Sequence, residues 1–283
     1  MNVYLAEFLG VTILIFFGCG VLAGNALKTS GSYQAGNVAI NIAWGCTVAM
    51  IIYCLGDISG AHINPAITIM QAVVGDFEWR LVPGYVIAQI AGGLFGGILV
   101  YLQFINHWDK TDDKLAKLTI FATEPTVRNF SANFFSEYIV TFLLVFCILG
   151  LNNNEFISGL KPLAVGCLIF LVGTSFGGVT GAALNPARDL GPRLAHFLLP
   201  IPGKGNSDFK YAWIPSLAPI MGAITSGLAH NALYKGEIDY KLYIMIVLTI
   251  ATFVGIKLFD KKDIKNESQS TNNITVDLMD EVI

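Results

Sequence analysis

Charge is scarce in this 283-residue sequence: Asp, Glu, Lys and Arg make up 13% of it, about half the share typical of soluble domains. Long runs such as residues 3–26 and 38–56 contain one charged residue or none. Because about 20 apolar residues in a helix span the hydrocarbon core of a bilayer, these runs predict membrane-spanning helices. The composition excludes a soluble protein with a large core and predicts an integral membrane protein.

The sequence also lacks the motifs of several functional classes. Its five cysteines stand singly inside apolar segments without metal-ligand spacing, so no metal or other cofactor is predicted. It has no block of basic residues, and its formal net charge is −3, so no nucleic-acid partner is predicted. No nucleophile stands beside a base in a catalytic pattern, and we therefore predict that the protein is not an enzyme.

The apolar runs predict six membrane spans, at residues 3–26, 38–56, 81–104, 132–151, 160–176 and 211–234. A further hydrophobic segment, residues 240–259, has an uncharged stretch between Lys241 and Lys257. This segment is long enough to span if both lysines reach towards the membrane surfaces. It is either a seventh spanning helix or a helix that packs along the sixth span or a partner subunit.

Two short stretches, SGAHINPAITI at residues 59–69 and TGAALNPARDL at residues 180–190, repeat almost the same pattern. In each, an asparagine is followed by a proline at the start of an apolar piece too short to cross the membrane. Asn is a strong N-cap, and Pro is favoured at the first helical position because it has no N–H to leave unpaired. The pattern predicts two half-helices that begin inside the protein, at residues 65–75 and 186–199.

The half-helices divide the chain into two repeats, residues 1–104 and 132–234, each with three spans and one half-helix. An odd number of spans per repeat gives the two copies opposite orientations, an architecture used to move solutes across membranes. Residues 105–131 are expected to form a solvated external connection, and the polar residues 260–283 a disordered tail. The predicted fold class is thus all-α, with six spans and two re-entrant half-helices in an inverted repeat.

The backbone before each half-helix is expected to line a pore, because extended backbone inside a membrane survives only where it is buried or faces a watery cavity. Its carbonyl groups would form two ladders of hydrogen-bond acceptors, with the side-chain N–H groups of Asn64 and Asn185 where the ladders meet. These pore-lining residues are Gly60, Ala61, His62, Ile63, Gly181, Ala183 and Leu184. The two helix N-termini, each positive, would repel cations and hydronium ions at the midplane.

The doubled motif resembles that of the aquaporin superfamily, and the NPARD sequence that ends in Asp189 resembles its glycerol-facilitator branch. The resemblance covers residues 3–234, and its two NPA motifs are Asn64, Pro65, Ala66, Asn185, Pro186 and Ala187. It implies a homotetramer in the cell membrane with one pore per subunit, both termini in the cytoplasm, and passive conduction of glycerol, water and other small neutral solutes. Since no eukaryotic sorting signal is evident, we expect a bacterial cytoplasmic membrane.

Carried over by position, the selectivity filter comprises Trp44, Gly173, Ala182 and Arg188. The sequence departs from the glycerol-facilitator pattern at Ala182, where a large aromatic residue is common. An alanine predicts a wider aperture, through which lactic acid in its neutral form, propanediol, dihydroxyacetone or urea could pass.

Glu7 and Glu137 lie inside spans at matching positions of the two repeats. The resemblance implies that they brace the re-entrant loops, and Asp189 is likewise expected to brace a loop. A carboxylate buried in a membrane span can instead relay protons. Two alternatives therefore remain open from the sequence: a proton-coupled secondary transporter of small solutes, and a mainly water-conducting aquaporin, against which Trp44, Gly173 and Asp189 argue.

Overall fold

The computed structural model describes residues 1–259, which contain helices and connecting segments but no strand. The predicted tail, residues 260–283, lies outside the described residues. The α-helices are α1 (Val3–Ala26), α2 (Gly36–Ser59), α3 (Pro65–Val74), α4 (Val82–Gln103), α5 (Lys114–Phe121), α6 (Phe130–Asn152), α7 (Leu160–Thr180), α8 (Pro186–Leu198), α9 (Trp213–His230) and α10 (Tyr240–Phe259).

Six helices of the described chain are long and apolar enough to cross a membrane: α1, α2, α4 with the turn before it, α6, α7 and α10. The sixth predicted span, residues 211–234, corresponds to α9, which is 18 residues long and carries Pro219 in its interior. Although α9 is less apolar than the others, it packs along α6 as α4 packs along α1. It therefore takes the place of the third span in the second repeat.

Glycines allow the helices of each repeat to approach closely. A methyl group on Gly92 of α4 would lie 2.3 Å from the carbonyl oxygen of Phe8, and one on Gly222 of α9 would lie 2.3 Å from that of Tyr138. Gly45 of α2 and Gly166 of α7 contact each other in the same way across the boundary between the repeats. These matched contacts bring the backbones together without a side chain between them, so the inverted repeat is visible in the packing.

The half-helices α3 and α8 begin at Pro65 and Pro186, as predicted. Each preceding asparagine is the N-cap, and its side chain accepts a hydrogen bond from the backbone of the first turn. α3 ends at Val74 and α8 at Leu198, each one residue before the predicted end, and α3 is followed by Gly75 in the left-handed conformation. α3 packs on α9 and α8 packs on α4, so each half-helix is held by the third span of the other repeat.

The connection at residues 105–131 is not the solvated excursion that its charges suggested. It contains α5, and the side chains of Trp108 and Phe121 are fully buried in the main hydrophobic cluster. Lys117 is 2% exposed because its ammonium group donates to the carbonyl oxygen of Pro202. The charged residues alternate with apolar side chains that cover the end of the helix bundle, and this burial could not be deduced from composition.

α10 lies on the outside of the bundle against α6 and α9. Ile256 and Met245 pack in a cluster with Phe134 of α6 and Met221 of α9. Near the start of α10, the ammonium group of Lys241 donates to the carbonyl oxygen of Val73 at the end of α3, 3.2 Å away. Most of its remaining apolar side chains are exposed.

Candidate pore

The N-termini of α3 and α8 meet through their asparagines. Asn64 Nδ2 donates to the carbonyl oxygen of Leu184 at 2.9 Å, and Asn185 Nδ2 donates to that of Ile63 at 2.7 Å. Their side-chain oxygens accept backbone N–H bonds from Ala66 and Ala187, each at 2.9 Å. Each carboxamide therefore keeps one N–H free of these bonds. The six residues of the two NPA motifs are thus brought together at one place.

The backbone that leads to each half-helix has an unusual conformation at matching positions. Ala61 and Ile63 have φ angles of 46° and 45°, and their counterparts Ala182 and Leu184 have φ angles of 44° and 57°. Gly60 and Gly181, which precede them, are also left-handed. Non-glycine residues avoid this region because Cβ approaches the backbone. Such strain persists only where surrounding contacts enforce it.

Glu7 supplies those contacts in the first repeat. Its side chain is fully buried, and its two oxygens accept the backbone N–H groups of His62 at 3.0 Å and Ile63 at 2.6 Å. They also accept the Ser59 hydroxyl at 2.6 Å and the Gln89 amide at 2.7 Å. With four donors around it, the carboxylate is fully engaged with the loop that it braces.

Glu137 does the same in the second repeat. It is 1% exposed and accepts the backbone N–H groups of Ala183 at 2.9 Å and Leu184 at 3.1 Å. The hydroxyl of Thr180 donates to it at 2.6 Å. Both glutamates therefore make hydrogen bonds to the backbone N–H groups of the loops that they were predicted to brace.

One cavity of about 790 Å³ connects these features. It extends from Asn37, at the start of α2, to Asp57, near its end, and so runs along most of a spanning helix. Its lining combines the loop backbones, the NPA asparagines and all four predicted filter residues. Apolar side chains such as Val48 and Leu144 form other parts of the wall.

In the filter, the guanidinium of Arg188 lies over the face of Trp44, with 4.4 Å from its central carbon to the ring centroid. Arg188 therefore covers part of the indole face of Trp44. The indole edge fits against Gly18 of α1, where a methyl group would lie 2.3 Å from it. Arg188 Nη1 also approaches the carbonyl oxygen of Phe121 at 3.4 Å.

The cavity is also lined by a polar side chain that the sequence did not single out. Asn41 lines the cavity, and a methyl group on Gly173 would lie 2.3 Å from its Oδ1. Its position three residues before Trp44 on α2 places it on the same helix face. That spacing could have identified it. Ala182 also lines the cavity, and its methyl group leaves the aperture wider than an aromatic ring would.

Asp189 ties the connecting segment to the filter. One of its oxygens accepts the backbone N–H of Thr123 at 2.8 Å and the Thr123 hydroxyl at 2.6 Å. Arg193, fully buried, pairs with Asp189 at 2.8 Å and with Glu124 at 3.0 Å. The neighbours of Arg188 are therefore fixed by a charged cluster, which also includes Arg128 and Asp208.

Glu124 is the titratable centre of this cluster. Burial raises its pKa to about 7 despite the opposing charge of Arg193, and a hydrogen bond with Asp208 adds to the rise. The pKa of Asp208 is instead lowered: burial opposes the change, but the hydrogen bond and charge of Arg128 outweigh it. Below about pH 7, Glu124 therefore holds a proton between an ionised carboxylate and two guanidinium groups.

Among residues 1–259, no group of three His, Cys, Asp or Glu side chains is arranged to hold a metal ion. The arrangement provides one cavity with polar and apolar walls, and the buried guanidinium of Arg188 lies at its edge.

The family profile described as Major intrinsic protein matches residues 1–230. The chain belongs to this family. It is 48% identical over 261 residues to the glycerol uptake facilitator protein of Bacillus subtilis (strain 168), covering 92% of this chain and 95% of that protein. It is 51% identical over 234 residues to the probable glycerol uptake facilitator protein of Thermotoga maritima, covering 83% of this chain and 100% of that protein.

Two further comparisons concern the fold and the range of solutes. The aquaglyceroporin of Plasmodium falciparum, a solved structure, matches with a TM-score of 0.69 and 29% identity over 81% of this chain and 95% of its own. The D/L-lactic acid transporter of Lactiplantibacillus plantarum is 36% identical over 223 residues, 77% of this chain and 92% of that protein. The predicted family and fold class are confirmed, and this member is a multi-pass channel of the bacterial cytoplasmic membrane.

Proposed function

We propose that this chain is a passive channel for glycerol and other small neutral solutes. The observation that carries the proposal is the continuous cavity in which the NPA asparagines, the two loop backbones and the filter residues meet. The chain's similarity to glycerol uptake facilitators over most of their length supports the same solute class. No chemical step is proposed, because the relatives are channels and transporters.

The path suits a polyol better than an ion. Loop carbonyl groups accept hydrogen bonds from its hydroxyls, while apolar side chains such as Val48 and Leu144 face its carbons. Cations meet two converging helix N-termini, each equivalent to roughly half a positive charge. Arg188, 7% exposed, adds a full positive charge at the filter. Ions and protons are therefore excluded by electrostatics and by the lack of replacement hydration.

The hydrogen bonds of the two glutamates favour a channel over the proton-coupled alternative. Glu7 and Glu137 are 0% and 1% exposed, and each already accepts two backbone N–H groups. Protonating either would remove acceptors that hold the strained loops. A proton site in a coupled transporter needs access to solvent and a second stable state, and these contacts provide neither.

Two finer parts of the proposal concern the range of solutes and the number of subunits. We propose that Ala182 admits solutes bulkier than glycerol, including neutral lactic acid, and similarity to a lactic acid transporter supports this. We also propose a homotetramer with one pore per subunit. Exposed apolar side chains on the spans, such as Phe17, Met50 and Leu171, leave surface for neighbours as well as for lipid. Light scattering of the detergent-solubilised protein during size-exclusion chromatography tests the subunit number.

Stopped-flow light scattering on proteoliposomes tests the function. Glycerol should enter faster than into empty liposomes, with no saturation at low millimolar concentration and no response to an imposed proton gradient. A flux that requires the gradient would favour the coupled transporter. Rapid water flow without glycerol flow would favour the water-conducting alternative.

A further inference from the structure

Asn41 is the first of two features that the function above does not use. It is half-buried on α2, one turn from Trp44, and lines the cavity together with Gly173, Ala182 and Arg188. Its carboxamide lies directly against the backbone of Gly173, because a methyl group there would be 2.3 Å from Oδ1. The absence of a side chain at residue 173 thus makes room for Asn41 as well as for a solute.

The carboxamide of Asn41 has no hydrogen-bond partner among residues 1–259. It provides two donors and an acceptor, and leaving such groups unpaired away from bulk water is unfavourable. Because Asn41 faces the cavity, its partners must be the molecules that pass through the pore.

Arg188 and Asn41 complement each other chemically. A guanidinium has only donors, whereas a carboxamide both donates and accepts. A hydroxyl group also does both, so a solute with adjacent hydroxyls can bond to Arg188 and Asn41 together. We propose that Asn41 is a fifth filter residue, which favours solutes by their number of hydroxyl groups. This inference rests on the proposed channel function.

The test compares glycerol with 1,2-propanediol, which has one hydroxyl fewer, in proteoliposomes. Asn41→Leu keeps a similar side-chain volume but removes the hydrogen bonds. One neutral hydrogen bond changes an equilibrium constant by a factor of about 2 to 10. The glycerol-to-propanediol permeability ratio should therefore fall by about that factor. Asn106→Leu, at an exposed position outside the cavity lining, is the matched control and should leave the ratio unchanged.

Asn41→Ser is the second variant, because its hydroxyl keeps a donor and an acceptor in a smaller side chain. It should retain more of the wild-type ratio than Asn41→Leu. An unchanged ratio in Asn41→Leu, with wild-type protein conducting glycerol, overturns the role of Asn41 and leaves the channel intact. Wild-type proteoliposomes that pass no glycerol would instead overturn the proposed function itself.

The second feature, carried by separate observations, is the direction of α10. Its start is fixed by Lys241 at the end of α3, and near its other end Ile256 packs beside Phe134, close to the beginning of α6. Phe253 also contacts Phe135 of α6, with ring centroids 6.2 Å apart. α10 therefore runs antiparallel to α6 and extends along most of it.

We infer that α10 is a seventh membrane-spanning helix. Its 20 residues give about 30 Å of helix, the thickness of the hydrocarbon core. Exposed apolar side chains such as Val247, Ile250 and Val254 face outwards, where lipid is the fitting partner. α10 lies beyond residues 1–230, the part matched by the family profile. The end of α10 then lies on the opposite side of the membrane from Met1, whereas the resemblance implied one side for both termini.

Single cysteines placed in a full-length, cysteine-free background test this topology. The first position is Asn2, before α1. The other two are exposed: Ile238, just before α10, and Phe259, its last residue. With a membrane-impermeant thiol reagent on intact cells and on inverted vesicles, N2C and I238C should react from one side and F259C from the other. Reaction of all three from the same side would show that α10 does not cross the membrane.

Discussion

Asn64 and Asn185 each donate a hydrogen bond to the carbonyl group of the residue that precedes the other, Leu184 at 2.9 Å and Ile63 at 2.7 Å. The same side chains cap the half-helices that follow them. One residue in each repeat therefore fixes both the start of its own half-helix and the position of the opposite loop. This reciprocal bond joins the two halves of the molecule at the centre of the pore.

Asn64→Ala should therefore lower the free energy of unfolding by more than the loss of an ordinary helix N-cap does. It removes an N-cap, which contributes about 1 kcal/mol, and a buried hydrogen bond, which contributes about as much again. Asn2→Ala is the matched control, because Asn2 caps α1 at the exposed N-terminus and makes no bond between the repeats. Thermal unfolding in detergent should show a clearly lower midpoint for Asn64→Ala only. Equal shifts would mean that the bond between repeats contributes nothing to stability.

Glu137→Gln should weaken the second re-entrant loop. The amide keeps one acceptor oxygen, but an NH₂ group replaces the other. This NH₂ group cannot accept from the N–H groups of Ala183 and Leu184, so at least one buried donor is left unpaired. Such a loss costs about 1–3 kcal/mol. We expect a lower unfolding midpoint and reduced flux for glycerol and water together. If glycerol flux instead became insensitive to a proton gradient that drives it in the wild type, Glu137 would be a proton site.

A methyl group at Gly173 should obstruct the filter, because it would lie 2.3 Å from Asn41 Oδ1. Gly177, one turn further along α7, also lines the cavity but has no atom within 4 Å of an added methyl group. We expect Gly173→Ala to reduce glycerol permeability severalfold and Gly177→Ala to leave it nearly unchanged, as measured by stopped-flow light scattering. Similar losses of glycerol permeability in both variants would mean that the space between Gly173 and Asn41 does not limit the flux.

Ala182→Phe tests the width of the filter. An aromatic ring at this position would fill part of the cavity that Ala182 lines, so permeability to solutes bulkier than glycerol should fall more than permeability to glycerol. A series from urea to glycerol, propanediol and neutral lactic acid at low pH measures the change. If wild type and variant exclude the same solutes, Ala182 does not set the aperture.

The stability of the folded protein should depend on pH through Glu124. Its pKa is about 7 in the folded protein and about 4.3 when unfolded. Between these values the folded state holds a proton that the unfolded state has lost, so the stabilisation is complete below about pH 4 and declines as pH rises towards 7. Glu124→Gln should flatten this decline in unfolding midpoints measured from pH 4.5 to 8. If Glu124→Gln shows the same decline of the unfolding midpoint with pH as the wild type, another titratable group causes that decline.

Much of this protein can be deduced from the sequence because the decisive signals are local. An asparagine followed by a proline at the start of a short apolar piece specifies where a helix begins, whatever surrounds it, and both half-helices begin where predicted. The uncharged runs indicate the spans because the bilayer sets their length. The repetition of both signals yields the inverted repeat and the family.

Other features depend on which segments meet in space, and only the tertiary structure decided them. The charges of residues 105–131 predicted solvent exposure, but Lys117 is buried and donates to the carbonyl group of Pro202, and Glu124 pairs with the buried Arg193 of α8. Trp44 shares its face with Arg188, which is far away in sequence. The direction of α10 follows from its contacts with α3 and α6, since its own composition is equally compatible with lying along a neighbour. Local sequence thus determined the helices and the motif, and long-range packing determined the filter and the direction of α10.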